Sequence, residues 1–142
     1  MKNCLNCGKD LKGRQTKYCS TNCQKEYEHK QWIKRWKAGN ETGMSSKYGI
    51  SNHLKKYLLD KYGHKCARCG WGKVNPFTYT LPLEVEHIDG DYMNNTEDNL
   101  ILLCPNCHSL TATYKGAYRG NGRKDRQQYS LYANPEQDES RV

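Results

Sequence analysis

Glu86-His87-Ile88-Asp89, with Asn99 and then Cys104-Pro105-Asn106-Cys107-His108 downstream, is the part of the sequence that decides the fold. It places a histidine, an asparagine and a second histidine in a fixed order, and the last histidine directly follows a Cys-x2-Cys pair. A matching pair, Cys66-Ala67-Arg68-Cys69, lies upstream. Each pair can hold one edge of a tetrahedral zinc site, so the sequence predicts a zinc-stapled scaffold around the histidines.

The cysteines of this chain are predicted to be metal ligands and not disulfides. No stretch approaches the ~18 apolar residues of a membrane helix, and the N-terminal residues have no apolar signal-peptide core. We therefore expect no membrane association and a cytoplasmic location, where thiols stay reduced. The eight cysteines form four close pairs, enough for two structural zinc sites. One site would use Cys66, Cys69, Cys104 and Cys107, and the other Cys4, Cys7, Cys19 and Cys23.

The composition indicates a protein that needs structural metal ions to stabilise its fold. Of the 142 residues, 35% are hydrophobic and 27% are charged, which leaves material for only a thin apolar core. Structural zinc binds small zinc peptides with an apparent free energy of roughly 10–16 kcal/mol, and that binding drives their folding.

Charge is distributed unevenly along the chain. Residues 1–65 hold 15 Lys and Arg against 5 Asp and Glu, a net charge of +10. Residues 66–142 hold 8 against 10, a net charge of −2. A basic front half suits a protein that binds a polyphosphate, although a solvated lysine-rich surface is the plainer alternative.

Local signals divide the chain into four predicted segments. Residues 1–38 would form a Cys4 zinc knuckle and a basic helix that Ser20 or Thr21 caps and Gly39 ends. Residues 39–50 read as a linker. Residues 51–118 would hold a helix from Ser51 to Gly63, strands at 83–87 and 100–103, and a short helix carrying His108. Residues 119–142 would form a basic and then disordered tail.

The spacing His87-x11-Asn99-x8-His108 inside two Cys-x2-Cys pairs resembles the zinc-bearing branch of the HNH endonucleases, the ββα-metal nucleases, over residues 64–115. The whole chain is also similar to small stand-alone HNH proteins of bacteriophages. The resemblance implies an α+β fold with a zinc-stapled, treble-clef-like nuclease core. The knuckle and basic helix would extend it at the N-terminus.

The resemblance further implies a metal-dependent endonuclease that acts on double-stranded DNA and leaves 5′-phosphate and 3′-hydroxyl ends. His87 would be the general base, since imidazole titrates near neutral pH. Glu86 and His108 would hold one divalent cation, most simply Mg²⁺, with Mn²⁺ or another transition metal as alternatives. Asn99 would brace the loop so that His87 presents the correct nitrogen.

Several alternatives stay open at the level of sequence. Glu84 lies on the same strand face as Glu86 and could share or replace its role. Asp89 and Asp91 read as turn residues around Gly90. Asn94 and Asn95 read as residues that form the loop.

Other functions also stay open. The pair Trp32 and Trp36 could stack on bases but is more typical of core packing at helical spacing. A non-catalytic zinc-finger nucleic-acid-binding protein is the alternative to an enzyme, and a treble-clef interaction module is a third hypothesis.

Overall fold

The computed structural model describes residues 1–45 and 49–116. The predicted tail, at 119–142, lies outside the described residues. The chain divides into two compact units, Met1–Thr42 and Gly43–Val142, and the boundary falls inside the predicted linker. In the described part of the chain, no helix has the length and apolar character required to cross a membrane.

The first unit consists of a cysteine-bearing turn region and one long helix, α1, at Thr21–Lys37. Ser20 caps α1, because its side chain accepts a hydrogen bond from the Cys23 backbone N–H. The helix ends at Ala38, and Gly39 follows with a φ of 81°, which glycine adopts without strain. Both predicted helix ends are confirmed. Trp36 of α1 is buried and stacks on Trp32, which agrees with the packing interpretation of this pair.

The second unit begins with helix α2, at Asn52–Lys61, which supplies part of the core. The Ser51 side chain caps α2 by accepting a hydrogen bond from the His53 N–H. Leu54 and Leu58, one helical turn apart, are fully buried. The predicted helix and its cap at Ser51 are confirmed.

A ββα unit follows and positions the candidate site. Strands β1, at Glu84–His87, and β2, at Leu100–Leu103, pair antiparallel, with Glu86 opposite Ile101 and His87 opposite Leu100. Helix α3, at Pro105–Ser109, begins directly after β2. Short 3-10 helices lie at Glu97–Asn99 and Tyr114–Gly116. The predicted α+β class and the order of these elements are confirmed.

The core of the second unit is small and includes cysteines. Leu83, Leu102 and Leu103 pack together with Cys66 and Cys104, and all five are nearly inaccessible to solvent. Two of the four cysteines of the predicted metal site, Cys66 and Cys104, are therefore part of the apolar core. A bound metal and the packing of β2 would stabilise the same hairpin.

Candidate functional site

The second unit holds a cluster of four thiols that could bind a metal ion. The sulfurs of Cys66, Cys69, Cys104 and Cys107 all lie within 4.8 Å of one another. Those of Cys69 and Cys104 are 3.7 Å apart. A Zn–S bond of ~2.3 Å places tetrahedral sulfurs about 3.8 Å apart, whereas a disulfide needs about 2.05 Å. The donor type and the spacing therefore fit a zinc-like ion.

Backbone N–H groups in this cluster donate hydrogen bonds that stabilise ionised sulfur. The Cys104 sulfur caps α3 by accepting a hydrogen bond from the Cys107 N–H at 3.4 Å. Burial tends to raise the pKa of Cys66, but hydrogen bonds from backbone N–H groups, including that of Cys104, outweigh it and lower the pKa to about 6. Burial and neighbouring sulfurs, first that of Cys69, raise the pKa of Cys107 to about 12. Only a bound cation would favour ionisation of all four thiols together.

The first unit holds an equivalent cluster of Cys4, Cys7, Cys19 and Cys23, whose sulfurs also lie within 4.8 Å of one another. The sulfur of Cys19 is 3.6 Å from that of Cys7 and 3.5 Å from that of Cys23. Burial opposes ionisation of Cys4, yet backbone hydrogen bonds, first that from Cys7, lower its pKa to about 6. This group too could hold a metal ion, so both predicted cysteine clusters are assembled.

The structure brings Glu86 and His108 into direct contact. Glu86 Oε2 lies 2.7 Å from His108 Nε2, and the carboxylate is buried, with an exposed fraction of 8%. The Thr113 hydroxyl donates a hydrogen bond to the other carboxylate oxygen of Glu86. A buried carboxylate oxygen beside an imidazole nitrogen is a pair of donors that divalent cations accept.

Glu84 contacts the opposite side of the same imidazole ring. Its Oε2 lies 3.0 Å from His108 Nδ1, while Glu86 contacts Nε2. Alternation along β1 explains the arrangement, because residues two apart on a strand share a face. The Tyr114 ring also packs against the imidazole in a perpendicular, edge-to-face arrangement, with ring centroids 5.6 Å apart. Glu84 and Glu86 therefore both contact His108, each at a different ring nitrogen, and Glu84 does not displace Glu86.

His87 lies between Glu86 and the loop, and alternation turns its side chain to the other face of β1. Its Nε2 atom is 2.7 Å from Oδ1 of Asn95, whose exposed fraction is 5%. Sequence reasoning treated Asn95 only as a residue that forms the loop and missed this contact. Nothing in the sequence distinguishes Asn95 from its neighbour Asn94 in this respect.

Asn99 connects the two ends of the loop at 88–99. Its Nδ2 donates to Asp89 Oδ1 at 2.8 Å and to the Asn94 carbonyl at 2.9 Å, and its Oδ1 accepts from the Asp89 N–H at 3.0 Å. Asp89 also accepts from Asn94 Nδ2 and from the Asp91 N–H, both at 2.8 Å. Burial tends to raise the pKa of Asp89, but these hydrogen bonds and the nearby His87 lower it. The loop is therefore held by a closed polar network.

A ββα unit with a four-cysteine cluster and a carboxylate–imidazole pair that joins β1 to α3 fits the zinc-bearing ββα class. Residues 66–111 match the model of the HNH endonuclease family. This part of the chain is therefore similar to the HNH endonucleases, as the sequence pattern predicted.

The chain is also similar to a relative that is named as an endonuclease. The chain is 39% identical over 90 residues to the H-N-H endonuclease F-TflIV of Escherichia phage T5. The aligned region covers 62% of this chain and 39% of that protein, so the chain spans well under half of its relative. No solved structure matches the chain significantly.

Proposed function

We propose that this protein is a metal-dependent DNA endonuclease that hydrolyses phosphodiester bonds and leaves 5′-phosphate and 3′-hydroxyl ends. One observation carries the proposal. Glu86 and His87 are neighbours on β1, so their side chains lie on opposite faces of the strand. Glu86 contacts His108 of α3 at 2.7 Å on one face, and His87 lies on the other. A cation ligand and a base can therefore be adjacent in sequence without competing for one position.

His87 acts as the general base in this proposal. Asn95 Oδ1 accepts the Nε2 proton at 2.7 Å, which leaves Nδ1 as the nitrogen that takes a proton from the attacking water. Asn99 acts indirectly, because its hydrogen bonds to Asp89 and Asn94 hold the loop that carries Asn95. His87 is thus the catalytic residue of the loop side, and the two asparagines are positioning residues.

Glu86 and His108 hold one divalent cation in this proposal, Mg²⁺ in the simplest case and Mn²⁺ or another transition metal otherwise. The Thr113 hydroxyl and Glu84 each bond to one of the two ligands and fix its orientation. Such a cation, when bound, supplies Lewis-acid stabilisation of the charge on the phosphate and on the leaving 3′ oxygen.

The two cysteine clusters hold structural zinc in this proposal, and the basic front half supplies phosphate contacts. The four-sulfur sets leave no ligand position for water or substrate, which suits a structural role. A net charge of +10 over residues 1–65 supports binding to double-stranded DNA. The similarity to a phage enzyme supports action on DNA in the cytoplasm of a bacterial host.

The test is cleavage of supercoiled plasmid by the wild-type protein and by His87→Ala, with and without Mg²⁺ or Mn²⁺. We expect metal-dependent nicking or linearisation by the wild type and none by His87→Ala. His64→Ala is the matched control, because the His64 imidazole contacts Asp60 of α2 and the proposed mechanism gives it no role, so cleavage should be unchanged.

Two results would contradict the proposal. Equal cleavage by wild type and His87→Ala would assign the chemistry to another residue. Salt-dependent DNA binding without cleavage in either metal, on a plasmid library of random sequence, would favour the non-catalytic zinc-finger protein. End-labelling of the products with and without phosphatase treatment determines the chemistry of the ends.

A further inference from the structure

A short loop before β1 presents two aromatic rings to solvent. We name residues 75–80, Asn75-Pro76-Phe77-Thr78-Tyr79-Thr80, the aromatic loop. Phe77 is 89% exposed and Tyr79 is 83% exposed. Phe77 is the single phenylalanine of a chain that has little apolar material for its core. Leaving this ring in water forfeits the free energy that its burial would contribute.

Hydrogen bonds hold the aromatic loop in one shape. Asn75 Oδ1 accepts from the N–H groups of Phe77 and Thr78, at 2.9 and 3.3 Å. The Asn75 N–H donates to the Thr80 carbonyl, and the Tyr79 N–H donates to the Asn75 carbonyl, both at 2.8 Å. The rings are therefore carried on a closed turn.

The base of the aromatic loop is fixed to the core. Trp71 and Leu81, which flank the loop, pack against the buried cluster around Leu83 and Leu102. The residues on either side of the turn therefore pack against the same hydrophobic cluster as Val85 of β1. Rings held in this way are pre-organised for a partner, since binding needs no ordering of the backbone.

Tyr79 has an unfavourable backbone conformation. Its φ is 55°, in the left-handed region that glycine and asparagine adopt most readily. A bulky side chain in that region is strained, and such strain clusters at functional positions. Glycine would fit this turn with less strain, and a binding role for the ring would account for a tyrosine at this position.

The charges around the loop select the class of partner. Residues 64–82 contain Lys65, Arg68 and Lys73 and no acidic residue. Residues 83–116, which include the candidate active site, contain six acidic residues and one lysine. In sequence, the aromatic rings therefore lie in a segment with three basic residues and no acidic one, which favours a polyanion as the partner.

We propose that the aromatic loop is a DNA-contacting element in which Phe77 and Tyr79 stack on bases while Lys73 binds the backbone. This inference rests on the proposed nuclease function. Aromatic rings beside cations are the combination that proteins use to stack on bases along a phosphate backbone. Tyr79 precedes His87 by eight residues, at most about 29 Å of extended chain, so the aromatic loop lies no farther than that from the proposed base.

The experiment measures binding of two random-sequence DNA pools, one duplex and one single-stranded, to the full chain carrying His87→Ala, which in the proposed mechanism prevents cleavage, over a range of salt concentrations. The variant Phe77→Leu with Tyr79→Gly removes both rings, keeps an apolar side chain at 77 and relieves the strain at 79. We expect the affinity for the single-stranded pool to fall by about 5- to 150-fold per stacking ring, with an unchanged salt slope. Lys73→Gln should instead lower the slope of log K against log salt by ~0.9.

Phe77→Tyr is the matched control, because it keeps the ring and should bind within about twofold of the parent. Zinc content and thermal unfolding verify that each variant is folded. Unchanged affinity of the ring-less variant would overturn the proposal. So would concentration-dependent dimers that disappear with the rings, since the loop would then bind a second copy of the chain. Failure of the parent itself to bind DNA would instead contradict the proposed function, and this inference with it.

Discussion

The side-chain oxygen of Asn95 lies 2.7 Å from Nε2 of His87, and Asn95 is among the few buried polar residues of the second unit. An amide oxygen accepts hydrogen bonds but does not donate them, so this contact selects the tautomer with the proton on Nε2. In the proposed mechanism, Asn95 therefore determines which nitrogen of His87 is available as the base.

Replacing Asn95 by alanine should impair His87 without unfolding the protein. We expect Asn95→Ala to lower kcat by about 10- to 100-fold, the range found when residues that orient a catalytic ligand are removed. Imidazole ¹⁵N chemical shifts should report one tautomer in the wild type and a mixture in Asn95→Ala. Asn95→Asp keeps an acceptor oxygen and should preserve the wild-type tautomer. An unchanged tautomer and kcat in Asn95→Ala would remove Asn95 from the mechanism.

Gly43, in the predicted linker, packs against Asn95 and should also affect His87. A Cβ atom at Gly43 would lie 2.7 Å from Asn95 Cβ and 3.0 Å from Leu54 Cδ2, and φ at Gly43 is 78°. Gly43→Ala should therefore displace Asn95 and destabilise the unit by about 1–3 kcal/mol.

Gly39 provides the matched control for this prediction. It has a similar φ of 81°, but a Cβ there would meet nothing within 4 Å. Gly39→Ala should show the conformational cost alone, with unchanged cleavage. Thermal unfolding and kcat measured on both variants separate the two effects. Equal losses of activity in the two variants would show that contact with Asn95 is irrelevant.

Glu84 should strengthen metal binding through His108. Its carboxylate lies 3.0 Å from Nδ1 of His108, so it fixes the ring that presents Nε2 toward Glu86. We expect Glu84→Gln to weaken Mn²⁺ binding by about 10- to 100-fold, as measured by electron paramagnetic resonance titration. Asp98→Asn, which removes an exposed carboxylate of the same unit, controls for the change in net charge. Equal Mn²⁺ affinity in the wild type and Glu84→Gln would leave Glu84 without this role.

Removal of a cysteine should have different consequences in the two units. Cys104 is buried in the core cluster and its sulfur caps α3, so Cys104→Ser should lose one zinc equivalent, unfold the hairpin and abolish cleavage. Cys7 lies in the first unit and is exposed, so Cys7→Ser should lose one zinc equivalent and leave the hairpin folded. For each variant, metal analysis measures the zinc content, and the NMR signals of β1 and β2 show whether the hairpin is folded. Full zinc content and normal stability in Cys104→Ser would contradict the metal assignment.

Local sequence signals predicted most of the framework. The caps at Ser20 and Ser51 and the strand pair follow from side-chain preferences that act within a few residues. The thiol clusters follow from spacing, since each Cys-x2-Cys pair brings its two sulfurs together on one turn. The pairing of Glu86 with His108 was anticipated from a family pattern, and the structure places the two side chains in contact.

Contacts that depend on the path of a loop could not be predicted in this way. Asn95 reaches His87 only because the polar network around Asn99 folds the loop back over β1. Gly43 contacts Asn95 from a segment that reads as a linker in the sequence. The exposure of Phe77 and Tyr79 likewise depends on a turn that Asn75 closes. In each case the structural feature depends on the path of a loop or turn, and the local sequence of that segment carries no periodic hydrophobic pattern from which it could be predicted.

The lowered pKa of Asp89 predicts an acid-sensitive loop. Hydrogen bonds from Asn94, Asp91 and Asn99, together with His87, lower this pKa below its usual value near 3.8. A lowered native pKa contributes stability that is fully present above the unfolded pKa and is lost as pH falls through the native pKa. Asp89→Asn removes this contribution.

We therefore expect Asp89→Asn to be less stable than the wild type at neutral pH, with a difference that shrinks as pH falls below about 3.8. Denaturant unfolding of the two proteins at the same pH values measures this difference in stability. Because both proteins lose metal in acid, that loss cancels when one is compared with the other. Asp91→Asn is the control, because Asp91 accepts a hydrogen bond from the Met93 N–H at the edge of the network. A stability difference between Asp89→Asn and the wild type that stays constant with pH would show that the charge of Asp89 does not hold the loop.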